Sequence, residues 1–178
     1  MNDVIFIENR PHNKTAYNRY DKKAKIIVVK IMAALRYVPH GNINDENYKK
    51  YDLNFRHEIS DRFIAIENEV REKFDKIRDT YETIHIPIRK SNTQMDRYFV
   101  WNRKFDQVII IDRITFLKYK HTLTKELCNS ELDDGQKVQY FEKFIDVPKN
   151  ECKYYRLIGD RLNDNFEDSS ISGFLNYK

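Results

Sequence analysis

A chain of 178 residues, 40 % hydrophobic and 34 % charged, has the makeup of one globular domain over 1–178, with enough apolar side chains for a core that needs no disulfide or metal. Only 4 glycines and 4 prolines argue against flexible linkers and against a many-turned all-β fold. The net charge of +4 is modest but uneven: 1–30 carry +4 and 89–120 carry +5, while 31–88 carry −2 and 121–178 carry −3.

Chain order begins with a basic N-terminal arm (1–30) that holds a short apolar run, "VIFIE" (4–8), read as a first strand. An acid stands early and no basic region precedes a long apolar core, so a secretory signal is not expected. The most apolar stretch, "AKIIVVKIMAALRYV" (24–38), is interrupted by Lys30 and falls short of the roughly 20 residues a membrane span needs. Over 54–84 the spacing predicts one long amphipathic helix. Phe55, Ile59, Phe63, Ile66, Val70, Phe74, Ile77, Tyr81 and Ile84 recur at steps of three or four. Glu58–Arg62, Glu67–Arg71, Glu69–Lys73 and Glu72–Lys76 set acids four residues before bases. Asn54 or Asp52 can cap it and Pro87 forbids its continuation. Such a helix is about 45 Å long. Its stripe must be covered by the chain's own sheet or by a partner, which makes Phe63, Ile66, Val70, Phe74 and Ile77 the interface candidates.

From residue 84 to about 120 the period changes to two. "IHIPIRK" (84–90), "MDRYFVWNR" (95–103) and "QVIII" (107–111) read as an antiparallel strand meander. Asp112 then ends the third strand and can cap a helix carrying Phe116, Tyr119, Leu123 and Leu127, although strand continuation to about Tyr119 stays open. The acidic remainder, 121–178, reads as short amphipathic helices in "GQKVQYFEKFI" and "YYRLIGDRLNDNF". The expected class is therefore α+β: one long amphipathic helix packed on a small, mostly antiparallel sheet, with short C-terminal helices.

Chemistry is sparse. The four glycines stand alone and none precedes a Lys-Ser/Thr pair, which removes a phosphate-cradling loop and a dinucleotide fold. The five histidines show no metal-ligand spacing, and Cys128 and Cys152 form no CxxC. No metal or cofactor is expected, and the two thiols read as reduced cysteines of a cytoplasmic protein. Asp96, Asp112 and Glu69, with Glu67 beside it, are weak candidates for a divergent metal-dependent nuclease; the lysine that chemistry wants two positions after Asp112 is Ile114. In "RYFVWNRKF" (97–105), Arg97, Phe99, Trp101 and Arg103 share a strand face, with Lys104 adjacent. That is either a base-stacking platform with phosphate clamps or a core face with arginines at its rim.

These residues point away from an enzyme. The leading expectation is a non-enzymatic interaction or assembly protein that self-associates or binds a partner through the long helix. Composition rich in Ile, Asn, Lys and Tyr and poor in Ala and Gly marks AT-rich coding, as in low-GC bacteria, their phages and large DNA viruses, so a bacterial cytoplasm or a virion is the expected setting. A nucleic-acid-binding protein using 1–30 and 89–120 is the second expectation, and the nuclease the third.

Overall fold

The computed structural model describes residues 5–8, 20–41, 52–71, 82–90, 94–159 and, for the backbone, 161–164. Two β-sheets form a curled half-barrel, and the class is mostly β, not α+β. The larger sheet has the order β11-β10-β7-β6-β4-β3-β2. Its strands are β2 (Tyr37–Pro39), β3 (Leu53–His57), β4 (Phe63–Arg71), β6 (Arg97–Asn102), β7 (Gln107–Asp112), β10 (Lys153–Ile158) and β11 (Arg161–Asp164). All its pairings are antiparallel except β4 with β6. The smaller sheet is built on the long strand β9 (Lys137–Pro148), which pairs with β1 (Ile5–Phe6), β5 (Thr83–Pro87) and β8 (Leu123–Glu131).

Three layers result. Helix α1 (Lys22–Ala34) lays Ala24, Val28, Ile31 and Met32 on one face of the larger sheet, against Phe55, Ile66, Phe99 and Trp101. The opposite face, with Tyr98, Val100, Ile109 and Ile111, meets Ile84, Ile86, Ile145 and Val147 of the smaller sheet. Phe116 of the short helix α2 (Arg113–Tyr119) closes that second core. The larger sheet is thus the middle layer. This explains why 98–101 and 108–111 are continuously apolar: both faces of β6 and β7 are buried, as in strands covered on two sides.

The helix expected over 54–84 is absent. Residues 53–71 are the β3–β4 hairpin, and 83–87 are a strand of the other sheet. A 3.6-residue stripe needs Ile59 and Phe63 buried, yet both are exposed, Ile59 in the turn and Phe63 at the start of β4. Ile64, Ala65 and Ile66 are consecutive and all buried, which a strand covered on both faces achieves and a helix with a single buried stripe does not. The i,i+4 charge pairs favour a helix by a few tenths of a kcal/mol each. Burial of a large apolar side chain is worth about 1.5–3 kcal/mol, and it wins. Phe74, Ile77 and Tyr81 lie outside the described residues.

Three more corrections follow from the layering. β6 and β7 pair antiparallel, but β5 joins β9, so the three strands are not one meander. The two C-terminal helices expected over 121–178 are instead β9 and the β10–β11 hairpin, and Leu123 and Leu127 belong to β8, not to α2. Helix α1, over the apolar 24–38 stretch, had not been anticipated. The strand at 4–8 is found as the short β1, parallel to β9, and Asp112 does cap α2, its Oδ1 accepting from Thr115 N at 2.8 Å.

Candidate functional site

Two places stand out: a buried charge cluster between the sheets, and an open sheet edge. The cluster grows from β4. Glu67, Glu69 and Arg71 alternate along that strand and so project from one face, toward the smaller sheet. Lys90, in the turn of 3-10 helix after β5, reaches across to donate to Glu67 Oε2 at 2.5 Å, Asp52 Oδ2 at 3.3 Å and the Asn68 carbonyl at 3.5 Å. Glu69 Oε1 lies 2.9 Å from Arg71 Nε, and its Oε2 accepts from the Tyr98 hydroxyl. Arg71 Nη2 donates to the His85 carbonyl, tying β4 to the smaller sheet. Arg89 and Glu142 form a more exposed pair at 3.2 Å.

Electrostatics divides these acids into two kinds. Burial pushes the Asp52 carboxyl up, but Lys90 and the Asn68 N–H, which donates to it at 2.8 Å, hold it below its ordinary range. Glu69 is likewise pushed up by burial and pulled lower by Arg71 and Lys90. Glu67 is pushed up to about 7, because burial outweighs the pull of Lys90 and Asp52 repels the charge. Asp21, at the start of α1, rises to about 6 for the same reasons, burial first and then Asp52. Distance alone would put the anion beside Lys90 on Glu67. The extra backbone donor favours Asp52 as the anion instead, and Glu67 is only partly ionised near neutrality. Lys90 itself is held charged: burial opposes its charge, but Asp52, Glu67 and Glu69 more than restore it.

A general acid of this kind needs a substrate within reach. Glu67 has a side chain 5 % exposed and Lys90 12 %, and every cation here is matched to a carboxylate of the cluster. The arrangement is that of a charged rivet joining β4, Asp52 before β3 and the second sheet. Among the described residues no group of His, Cys, Asp or Glu is arranged to hold a metal ion.

The residues singled out in the sequence are dispersed. Asp96 Oδ2 accepts from Ala65 N at 2.8 Å, fixing the start of β6 to β4, while Asp112 is spent on its helix cap. Glu69 sits four residues beyond Ala65 on β4, about 13 Å along the strand, so the three acids do not converge. Phe99 and Trp101 are 0 % exposed in the first core, and Trp101 Nε1 donates to Asn68 Oδ1 at 2.8 Å. Arg97 donates to the Asp96 carbonyl at 2.8 Å. Arg103 and Lys104 are exposed in the β6–β7 turn. Phe63, Ile66 and Val70 are strand residues, Ile66 and Val70 facing α1, so the helical interface built on them has lost its scaffold. The cluster was legible in one signal: Glu67-x-Glu69-x-Arg71 puts three charges on one face of a strand, whereas the helical reading took only its i,i+4 pairs.

The open edge is the second place. β8 runs along β9 from Glu131↔Lys137 to Leu123↔Ile145, and among the described residues no strand pairs with its other side. One face of β8 is anchored: Thr124 donates to Asp146 at 3.2 Å and Glu126 lies 3.3 Å from His85 Nδ1. The opposite face carries Leu123, Lys125 and Leu127. Leu127 is directly opposite Phe141, whose ring meets Phe6 of β1 at 5.6 Å. Phe6, Phe141 and Leu127 are 57 %, 48 % and 48 % exposed, an apolar row across three strands that ends at β8, the outer strand among the described residues.

No helix among the described residues is long and apolar enough to cross a membrane. Comparison with protein-family models, with curated proteins and with solved structures finds no match.

Proposed function

We propose that the protein is a non-enzymatic interaction or assembly protein that docks through the β8 edge of its smaller sheet. The observation that carries this reading is the exposed row Phe6–Phe141–Leu127 ending at a nine-residue edge strand. Edge strands of this length expose a line of backbone donors and acceptors, and natural proteins shorten, bend or cover them unless they are used. Strand addition satisfies those groups, while side chains on alternate positions select the partner. The charged rivet between the sheets supports a scaffold role by locking the layer that presents the edge.

A second reading, nucleic-acid binding, has one observation in its favour. Lys23 of α1 sits 4.7 Å over the ring of Phe105, so the basic 1–30 segment and the Arg103–Lys104 turn meet at one place. Beside it Lys22, Lys23 and Lys30 line a groove of about 470 Å³ with Ile26 and Leu157. Size-exclusion chromatography with light scattering at low salt, recorded at 260 and 280 nm, separates the two. A nucleic-acid-free assembly whose mass falls on Leu127→Lys supports the edge. A monomer carrying nucleic acid that salt strips away overturns it in favour of the groove.

A further inference from the structure

We infer that the occupant of the β8 edge is a second copy of this chain, paired antiparallel with Leu127 on the two-fold axis; this rests on the reading of β8 as the docking edge. Two identical strands pair in this way about an axis normal to the sheet, and directly opposed residues share a face. Because faces alternate along a strand, the axis must pass through a residue and not between two.

The sequence of β8 (LTKELCNSE) then discriminates among the registers. An axis at Lys125 or at Glu126 sets that charge directly against itself, which is destabilising. An axis at Cys128 shortens the pairing to 125–131 and moves Leu127 opposite Asn129. An axis at Leu127 uses all nine residues and places Leu127 against Leu127 of the second copy. The apolar row then runs unbroken from Phe6 through Phe141 and Leu127 into the same three side chains in reverse order. Lys125, now lying over the Phe141 ring at 4.4 Å, comes diagonal to Glu131 of the second copy, about 7–8 Å between backbones and within reach of a lysine. The open edge therefore complements itself in both apolar surface and charge.

The axis residue is the only one in β8 that meets its own copy, which makes the register testable with charges. Leu127→Lys and Leu127→Glu alter a side chain that is about half exposed, and circular dichroism checks that each folds. Light scattering should show wild type at twice the 21.6 kDa chain mass, each variant alone as a monomer, and an equal mixture of the two as a dimer again. A dimer that survives Leu127→Lys overturns the edge itself. A mixture that stays monomeric overturns the register and leaves the edge in place. A wild-type monomer free of nucleic acid from about 1 to about 100 µM overturns self-pairing alone, whereas a monomer carrying nucleic acid overturns the docking reading beneath it.

Discussion

Replacing Lys90 with Met keeps most of the side-chain volume and removes the cation that three carboxylates share. Lys90 reaches Glu67 at 2.5 Å and Asp52 at 3.3 Å from a position 12 % exposed. Without it Asp52, half-buried with its side chain 29 % exposed, must either stay ionised without its counter-ion or take up a proton. Breaking a buried pair by deleting one partner costs about 3–5 kcal/mol. Protonation sets a ceiling: from the ordinary value of 3.8, neutralising Asp52 costs about 5 kcal/mol at pH 7.5 and about 1.6 kcal/mol at pH 5. Lys90→Met should therefore lower stability by about 3–5 kcal/mol at pH 7.5, a melting-point fall of roughly 6–20 °C for a chain of this size. At pH 5 the loss should shrink to about 2 kcal/mol or less. Urea unfolding of wild type and variant at the two pH values measures both numbers. A loss below about 1 kcal/mol at pH 7.5, or an equal loss at both pH values, would refute the account of Lys90 as the counter-ion of a half-buried anion.

Glu67 and Asp21 make the opposite contribution. Their folded pKa values, about 7 and about 6, lie above the ordinary carboxylate values. The folded chain thus holds protons that the unfolded chain releases, and these two groups lower stability as pH rises from about 4 to about 7. In Glu67→Gln the Glu67 part of that slope disappears, so urea midpoints followed over this window should flatten relative to wild type; an unchanged slope counts against the raised pKa. Asp112→Ala removes the N-terminal side-chain cap of α2 and should cost about 1 kcal/mol, read as a shift in urea midpoint without change in slope. Asp112 places its carboxylate at the N-terminus of α2, so the part of that cost due to its charge should shrink in high salt while the cap hydrogen bond's part remains.

Local pattern was enough for several elements. Alternation located β5 and β6, a run of branched residues located β7, and Asp112 followed by a helical spacing located α2 with its cap. These signals are short-range: a cap or a turn depends on residues within a few positions. The same rules misread 54–84, because Phe55, Ile59, Phe63 and Ile66 fall at helical spacing although two of them are only turn and strand-end residues. They misread β8 and β9 as well, where Leu123 and Leu127 stand four apart on one face of a strand, a spacing that helix and strand share.

Composition and charge, then, determined a chain with enough apolar side chains to bury without special chemistry, and the charges of 67–71 were present to be read. Which charges met, and which strands were buried on both faces, depended on tertiary structure. Lys90 is 23 residues from Glu67 and 38 from Asp52. Only the parallel return of β6 beside β4, with β5 diverted to the other sheet, brings them together. A strand's backbone hydrogen bonds are completed by neighbours distant in sequence, whereas a helix completes its own. The choice between helix and strand at 54–71 was for that reason decided by the middle layer it joined and not by the spacing of its side chains.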